Sequence, residues 1–71
     1  MIKFEDAKKK AQEAMKDMDL KVGSAMDDGE YFIFGYSEEV DLSPIGVNKE
    51  TGEVIDYFPP EHPKFMKATE I

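Results

Sequence analysis

The chain has 71 residues, a length that suits one small domain and excludes a dinucleotide-binding domain or a barrel. Hydrophobic residues make up 41% of it and charged residues 35%, which is typical of a folded domain rather than a disordered tail. With 0 cysteines, neither a disulfide nor a thiolate metal site supports the fold, so packing or self-association must stabilise it.

The charge of the chain is strongly negative and unevenly distributed. The formal net charge is -7 and there is no arginine. Lysines and acids balance over residues 1–19, so the whole excess of acid lies in residues 20–71 and predicts a negative surface there. Such a surface repels phosphate backbones, which excludes direct nucleic-acid binding, and it favours a basic protein partner. An acidic chain that is merely soluble is the simpler interpretation.

No membrane or export segment is expected. No apolar run approaches the roughly 20 residues of a membrane span, and the opening MIKFED is unlike a signal peptide. The lack of cysteine fits a reducing compartment, and we expect a cytoplasmic protein.

The first predicted element is an amphipathic helix over residues 4–18. Glu5 and Asp6 lie in its first turn, where the helix dipole favours negative charge. Its apolar residues recur at steps of three and four, which predicts one stripe packed on a sheet. The stripe consists of Phe4, Ala7, Ala11, Ala14, Met15 and Met18.

A β-hairpin is predicted next, with strands over residues 20–26 and 31–37 around the turn-forming residues 27–30. Gly35 weakens the second strand and indicates a bulge or a close approach of another backbone. Alternation along that strand predicts two faces. One carries Phe32, Phe34 and Tyr36, and the other carries Tyr31, Ile33 and Gly35.

An acidic loop over residues 38–44 leads to a second predicted hairpin, with strands over residues 45–48 and 53–58. Asn48 is suited to bond the backbone of its own turn, and Gly52 is suited to the left-handed conformation that closes it. The register stays open. Pairing Val47 with Val54 or with Ile55 reverses which side chains of the last strand face inward.

Residues 59–71 form a proline-broken tail. We expect a short helical turn whose Phe65 and Met66 cover the edge of the core, and we expect His62 to be exposed.

Together these elements predict one α+β domain over residues 1–71. Its N-terminal helix packs on one face of an antiparallel meander of three to four strands, and a short helical turn follows at the C-terminus. One helix cannot cover both faces of such a sheet. The aromatic side chains on the far face therefore predict an exposed apolar surface, as a binding groove or a homodimer interface.

No catalytic, cofactor-binding or metal-binding residues are predicted. His62 is the only histidine, and no serine lies in a recognisable nucleophile elbow. The pairs Asp27-Asp28 and Glu38-Glu39 are adjacent in sequence, so their side chains point apart and are typical of solvated loops. The turn at 27–30 lacks the ligand spacing of a calcium loop. We therefore expect no enzymatic activity and no cofactor.

A candidate partner-binding surface combines carboxylates with aromatic side chains, which attract and anchor a basic protein. Its residues are Asp27, Asp28, Glu38, Glu39, Asp41, Tyr31 and Tyr36. The alternative is that the two tyrosines belong to the core, as most aromatic residues of so small a domain do.

Three segments carry a resemblance to a known family. They are the helix opening FEDA at residues 4–7, the aromatic strand after Gly29, and above all SPIGVNKETGEV at residues 43–54. Over most of residues 4–58 the chain resembles the YrhB-like, immunity protein 35 family of small bacterial domains. The pattern x-Lys-x-Thr-Gly-x-Val after a strand is similar to hairpins of PepSY-like domains as well. The first resemblance implies an α+β domain that is not an enzyme and that neutralises a co-encoded toxin by binding it. It carries over no catalytic residues.

Two functional hypotheses follow. The first is a non-catalytic protein-binding module of the immunity-protein type, whose partner is a basic protein such as a toxin. The alternative is a structural or accessory subunit, of phage or mobile-element origin, that acts as a homodimer through its sheet.

Overall fold

One α-helix packs on an open five-stranded antiparallel sheet in the computed structural model, which describes residues 1–71. The α+β architecture predicted from the sequence is confirmed, with one strand more than expected. The helix is α1 (Phe4–Lys16), and the strands are β1 (Val22–Asp27), β2 (Tyr31–Tyr36), β3 (Ile45–Asn48), β4 (Val54–Asp56) and β5 (Thr69–Glu70). Their order across the sheet is β4-β3-β2-β1-β5.

The core lies between α1 and one face of the sheet, here called the helix face. It joins the small side chains of the helix to apolar side chains of β2 and β3. The buried members are Ala7, Ala11, Met15, Phe32, Phe34, Ile45 and Val47.

The helix ends earlier than predicted. α1 stops at Lys16, and the chain reverses through Asp19, which has a left-handed φ of 57°. The N–H of Leu20 donates to the carbonyl oxygen of Met15 at 2.9 Å and closes this turn. The prediction that Met18 fills the end of the buried stripe is therefore wrong, because 40% of Met18 is exposed.

The β1–β2 hairpin follows the predicted alternation. Phe32 and Phe34 lie in the core under α1, whereas Ile33 is buried on the opposite face of the sheet, here called the far face. The pairing of β1 with β2 is irregular between Val22 and Ser24, and Ser24 pairs with Gly35. Of the two alternatives that Gly35 indicated, a bulge or a close backbone approach, the irregular pairing agrees with the first and lies in the strand that faces Gly35.

The β3–β4 hairpin resolves the open register. Val47 pairs with Val54, and Gly46 pairs with Ile55. The turn is built as predicted: the Asn48 side chain accepts hydrogen bonds from the N–H groups of Glu50 and Thr51 at 2.8 and 3.0 Å. Gly52 has a φ of 77°, a left-handed conformation that costs glycine little.

The C-terminal tail covers the far face of the sheet. β4 ends at Asp56, and Tyr57 turns across that face, where its side chain is 0% exposed. Two 3-10 turns follow, Pro59–Glu61 and Pro63–Lys67, before β5 pairs with β1. The predicted exposed apolar far face is therefore wrong, because one helix covers one side of the sheet and the tail covers the other.

The positions of two tail residues also differ from expectation. His62 is half-buried because its ring stacks on that of Tyr57, with the ring centroids 4.1 Å apart. Phe65 contacts Tyr57 as well, but Met66 is 92% exposed and covers nothing. The tail therefore packs on the far face through aromatic rings and not through Met66.

The helical part of the chain is short and polar on one side. α1 has 13 residues, and none of the helices has the length and hydropathy of a membrane span.

Candidate functional site

The structure divides the predicted partner-binding residues between opposite ends of the sheet. Asp27, Asp28 and Tyr31 lie at the β1–β2 turn, here called the turn end. Tyr36 closes β2 and leads into the acidic loop with Glu38, Glu39 and Asp41, here called the loop end. Tyr31 and Tyr36 are five residue steps apart along β2, roughly 16 Å at the usual rise per residue. The seven residues therefore form two groups, not one site.

The carboxylate of Asp27 is used within the fold. One oxygen accepts a hydrogen bond from the N–H of Gly29 at 2.7 Å, as in an Asx turn. The other pairs with the ammonium group of Lys49 at 2.8 Å. Lys49 lies in turn over the ring of Phe32, 5.0 Å from its centroid. Asp27 thus ties the first hairpin to the second.

Asp28 is used within the fold as well. Its Oδ1 accepts hydrogen bonds from the N–H groups of Glu30 and Tyr31 at 2.7 and 2.6 Å. Its Oδ2 accepts a hydrogen bond from the hydroxyl of Tyr57 at 2.5 Å. Burial acts to raise the pKa of Asp28, but these three hydrogen bonds outweigh it and hold the pKa below its ordinary value of 3.8. The ionised carboxylate is therefore part of the turn.

An aromatic cluster packs beside the carboxylate of Asp28 on the tail side. Tyr57 packs against Tyr31 with the ring centroids 5.7 Å apart, and His62 lies against both rings. Burial, together with the hydrogen bond to Asp28, raises the pKa of Tyr57 well above its usual range. The cluster keeps Tyr57 protonated as a donor and attaches the tail to the sheet.

The carboxylates at the loop end have no such role. Glu38, Glu39 and Asp41 are exposed, and the two ion pairs of the chain, Lys49–Asp27 and Lys64–Glu30, lie elsewhere. The ends of the acidic loop are nevertheless fixed. The Tyr36 hydroxyl donates to the carbonyl oxygen of Ser43 at 2.7 Å, and the N–H of Tyr57 donates to that of Pro44 at 2.8 Å. The unpaired negative charge therefore lies on a loop that is tied at Ser43 and Pro44 to the sheet.

Burial, and next the charge of Asp56, raise the pKa of the Tyr36 phenol. Asp56 is the last residue of β4 and pairs with Ile45, which brings it to the loop end. Asp56 and Leu42 were not among the predicted site residues, and Met18 was predicted only as part of the helix stripe. All three join Tyr36 and Ser43 around one surface cavity. Leu42, an apolar residue inside an acidic loop, was the one available signal.

The surface carries four shallow cavities of about 280 to 340 Å³. His62 lines none of them, because its ring is stacked on Tyr57. No three histidine, aspartate or glutamate side chains stand close enough together to hold a metal ion. His62 is therefore a packing residue whose ring contacts Tyr57.

Comparison of the chain with protein-family models, curated proteins and solved structures gives no match. The resemblance to the immunity protein 35 family remains a prediction from the residues that carry it.

Proposed function

We propose that this chain is a non-catalytic, cytoplasmic protein-binding module of the immunity-protein type, which binds a basic protein through its acidic loop. The contrast between the two ends of the sheet carries the proposal. Asp27 and Asp28 are engaged by Lys49 and Tyr57 at the turn end. At the loop end the exposed carboxylates have no partner within the chain.

Unpaired carboxylates on a fixed loop are suited to recognition by charge. They repel one another, so a cationic partner that neutralises them relieves this repulsion and gains ion pairs. The net charge of -7 extends this attraction to the approach of the partner, since it steers a basic protein toward the chain. A basic toxin is a partner of this kind, as the family resemblance implies.

The experiment uses charge reversal with a matched control. The triple variant Glu38→Lys, Glu39→Lys, Asp41→Lys changes the acidic loop. The control Glu50→Lys, Glu53→Lys, Glu61→Lys makes the same change of net charge at exposed positions away from it. Immobilised wild-type protein captures partners from native lysate, mass spectrometry identifies them, and the purified pair is then measured by calorimetry. We expect a basic partner whose affinity falls roughly tenfold or more in the loop variant but changes little in the control.

Neutralisation is tested separately from binding. The captured partner is expressed alone and together with each form of the chain, and growth is followed. Growth arrest that wild type and control relieve, and that the loop variant does not, supports an immunity role. An acidic partner, or equal binding by the loop variant and wild type, contradicts the proposal.

The homodimeric accessory subunit receives no support from packing. That hypothesis rested on a bare apolar far face, and the tail with its buried Tyr57 covers this face. We therefore do not propose it as a second function.

A further inference from the structure

A cavity of about 280 Å³ opens at the loop end, beside the end of α1 and the acidic loop. Its lining consists of Met18, Tyr36, Leu42, Ser43 and Asp56. Met18 and Leu42 are 40% and 51% exposed, although both are large apolar side chains. The fold leaves this apolar lining in contact with water, where covering it would be favourable.

The polar groups of this loop-end cavity leave one anion unpartnered. The Tyr36 hydroxyl donates to the Ser43 carbonyl oxygen at 2.7 Å, so its hydrogen is already engaged. Asp56 is exposed and belongs to neither ion pair of the chain. A carboxylate beside an apolar lining suits a ligand with an apolar stem and a cationic head.

The charge around the cavity points to the same ligand. Exposed carboxylates flank the lining residues in sequence: Asp17 and Asp19 beside Met18, and Glu38, Glu39 and Asp41 before Leu42. The nearest lysines in sequence, Lys16 and Lys21, do not balance them. An anionic ligand is repelled here, and a purely apolar one would leave Asp56 without a partner.

We propose that the loop-end cavity holds a lysine or arginine side chain from a basic, partly aliphatic segment of a protein partner. The methylene groups of that side chain lie on Met18, Leu42 and the Tyr36 ring, and its cationic head pairs with Asp56. The inference rests on the proposed function, since it names the anchor of the partner that the acidic loop attracts. A second copy of the chain is a poor occupant because its own loop end is equally acidic.

The probe is a twelve-residue peptide of alternating arginine and leucine. One comparison peptide has serine in place of leucine, and another has glutamate in place of arginine. Each is titrated into the uniformly labelled protein, with amide shifts followed by NMR and affinity by fluorescence anisotropy. We expect the arginine–leucine peptide to bind most tightly and to shift the amides of the cavity lining, with an affinity that falls as salt is added.

Two variants test the anchor, each with a matched control. Asp56→Asn removes the paired anion and is expected to weaken binding about threefold. Leu42→Ser removes part of the apolar lining and is expected to weaken it about fivefold. The controls Glu53→Gln and Met66→Ser alter an exposed acid and an exposed apolar side chain outside the cavity. They are expected to bind as wild type.

Several outcomes overturn the assignment. Amide shifts confined to residues outside the cavity would show that the peptide binds by diffuse charge attraction. Binding of the arginine–serine peptide as tight as that of the arginine–leucine peptide would show the same. Tightest binding of the glutamate–leucine peptide would assign the cavity to an apolar ligand. Self-association that Leu42→Ser abolishes would assign it to a second copy.

The experiments can reject the cavity assignment and the proposed function independently of each other. If a basic partner depends on the acidic loop but not on Leu42 or Asp56, the cavity assignment is wrong and the proposed function stands. If the peptide binds at the cavity while no partner depends on the loop, the proposed function is wrong.

Discussion

Asp28 is the residue at which a local turn and the tertiary fold meet. One of its oxygens accepts hydrogen bonds from N–H groups of the turn. The other accepts a hydrogen bond from the hydroxyl of Tyr57, 29 positions away in the chain. The turn function is visible in the sequence because aspartate before glycine is typical of turns. The bond to Tyr57 has no local signal, since it depends on where the tail crosses the sheet.

We expect Tyr57→Phe to destabilise the domain by about 1–2 kcal/mol, because it removes a hydrogen bond to a charged group and leaves the ring in place. Urea unfolding measures this loss. Tyr31→Phe is the matched control, since the Tyr31 ring packs in the same cluster while its hydroxyl has no hydrogen-bond partner in the chain. Equal stability of the two variants would show that the bond to Asp28 contributes nothing.

The lowered pKa of Asp28 predicts a specific loss of stability in acid. The unfolded chain takes up the Asp28 proton at a higher pH than the folded chain does, so protonation favours unfolding. The contribution is complete well above the ordinary pKa of 3.8 and is lost as the pH falls through the lower folded value.

Thermal unfolding between about pH 6 and pH 2 checks this. Asp28→Asn is expected to flatten the decline, and the exposed control Glu39→Gln is expected to follow wild type. A decline of the same steepness in Asp28→Asn and wild type would contradict the assignment.

At the scale of elements, Gly46 determines how closely the tail lies on β3. A Cβ atom added at Gly46 would stand 3.0 Å from Cδ2 and 3.1 Å from Cβ of Tyr57. A glycine inside the strand over residues 45–48 is a general signal of close approach, but the sequence does not show which side chain approaches it. The close approach arises because the ring of Tyr57 packs directly on the backbone of a strand that lies before it in the chain.

We expect Gly46→Ala to destabilise the domain by about 1–3 kcal/mol, because the added methyl group pushes the Tyr57 ring, and the stacked His62, away from the sheet. A double-mutant cycle with Tyr57→Leu measures the coupling by urea unfolding. Gly46→Ala should lower the free energy of unfolding by less in the Tyr57→Leu background, because leucine is smaller than tyrosine. If Gly46→Ala lowers the free energy of unfolding equally in both backgrounds, the destabilisation does not come from contact with the Tyr57 ring.

At the scale of the whole molecule, both faces of the sheet are covered and both edge strands are short. α1 covers the helix face and the tail covers the far face, while the edge strands β4 and β5 have three and two residues. These short edge strands carry Asp56 and Glu70, and Glu53 precedes β4, which disfavours pairing with another copy. The net charge of -7 adds repulsion between copies.

We therefore expect the protein to be a monomer at high micromolar concentration. Sedimentation equilibrium at low and at physiological salt tests this, since screening would reveal an association that charge repulsion hides. A dimer at physiological salt would show that a surface outside the covered faces self-associates.

Local signals are enough to predict the stripe of α1 as far as Met15, the alternation of β2, and the Asn48 turn with its left-handed Gly52. These features depend on side-chain periodicity and backbone preference within a few residues.

Four features have no such local signal: the register of β4, the addition of β5, the covering of the far face by Tyr57 and His62, and the separation of the predicted surface into two ends. Each of these depends on contacts between residues distant in sequence, and their free energies depend on which surfaces the folded chain brings together.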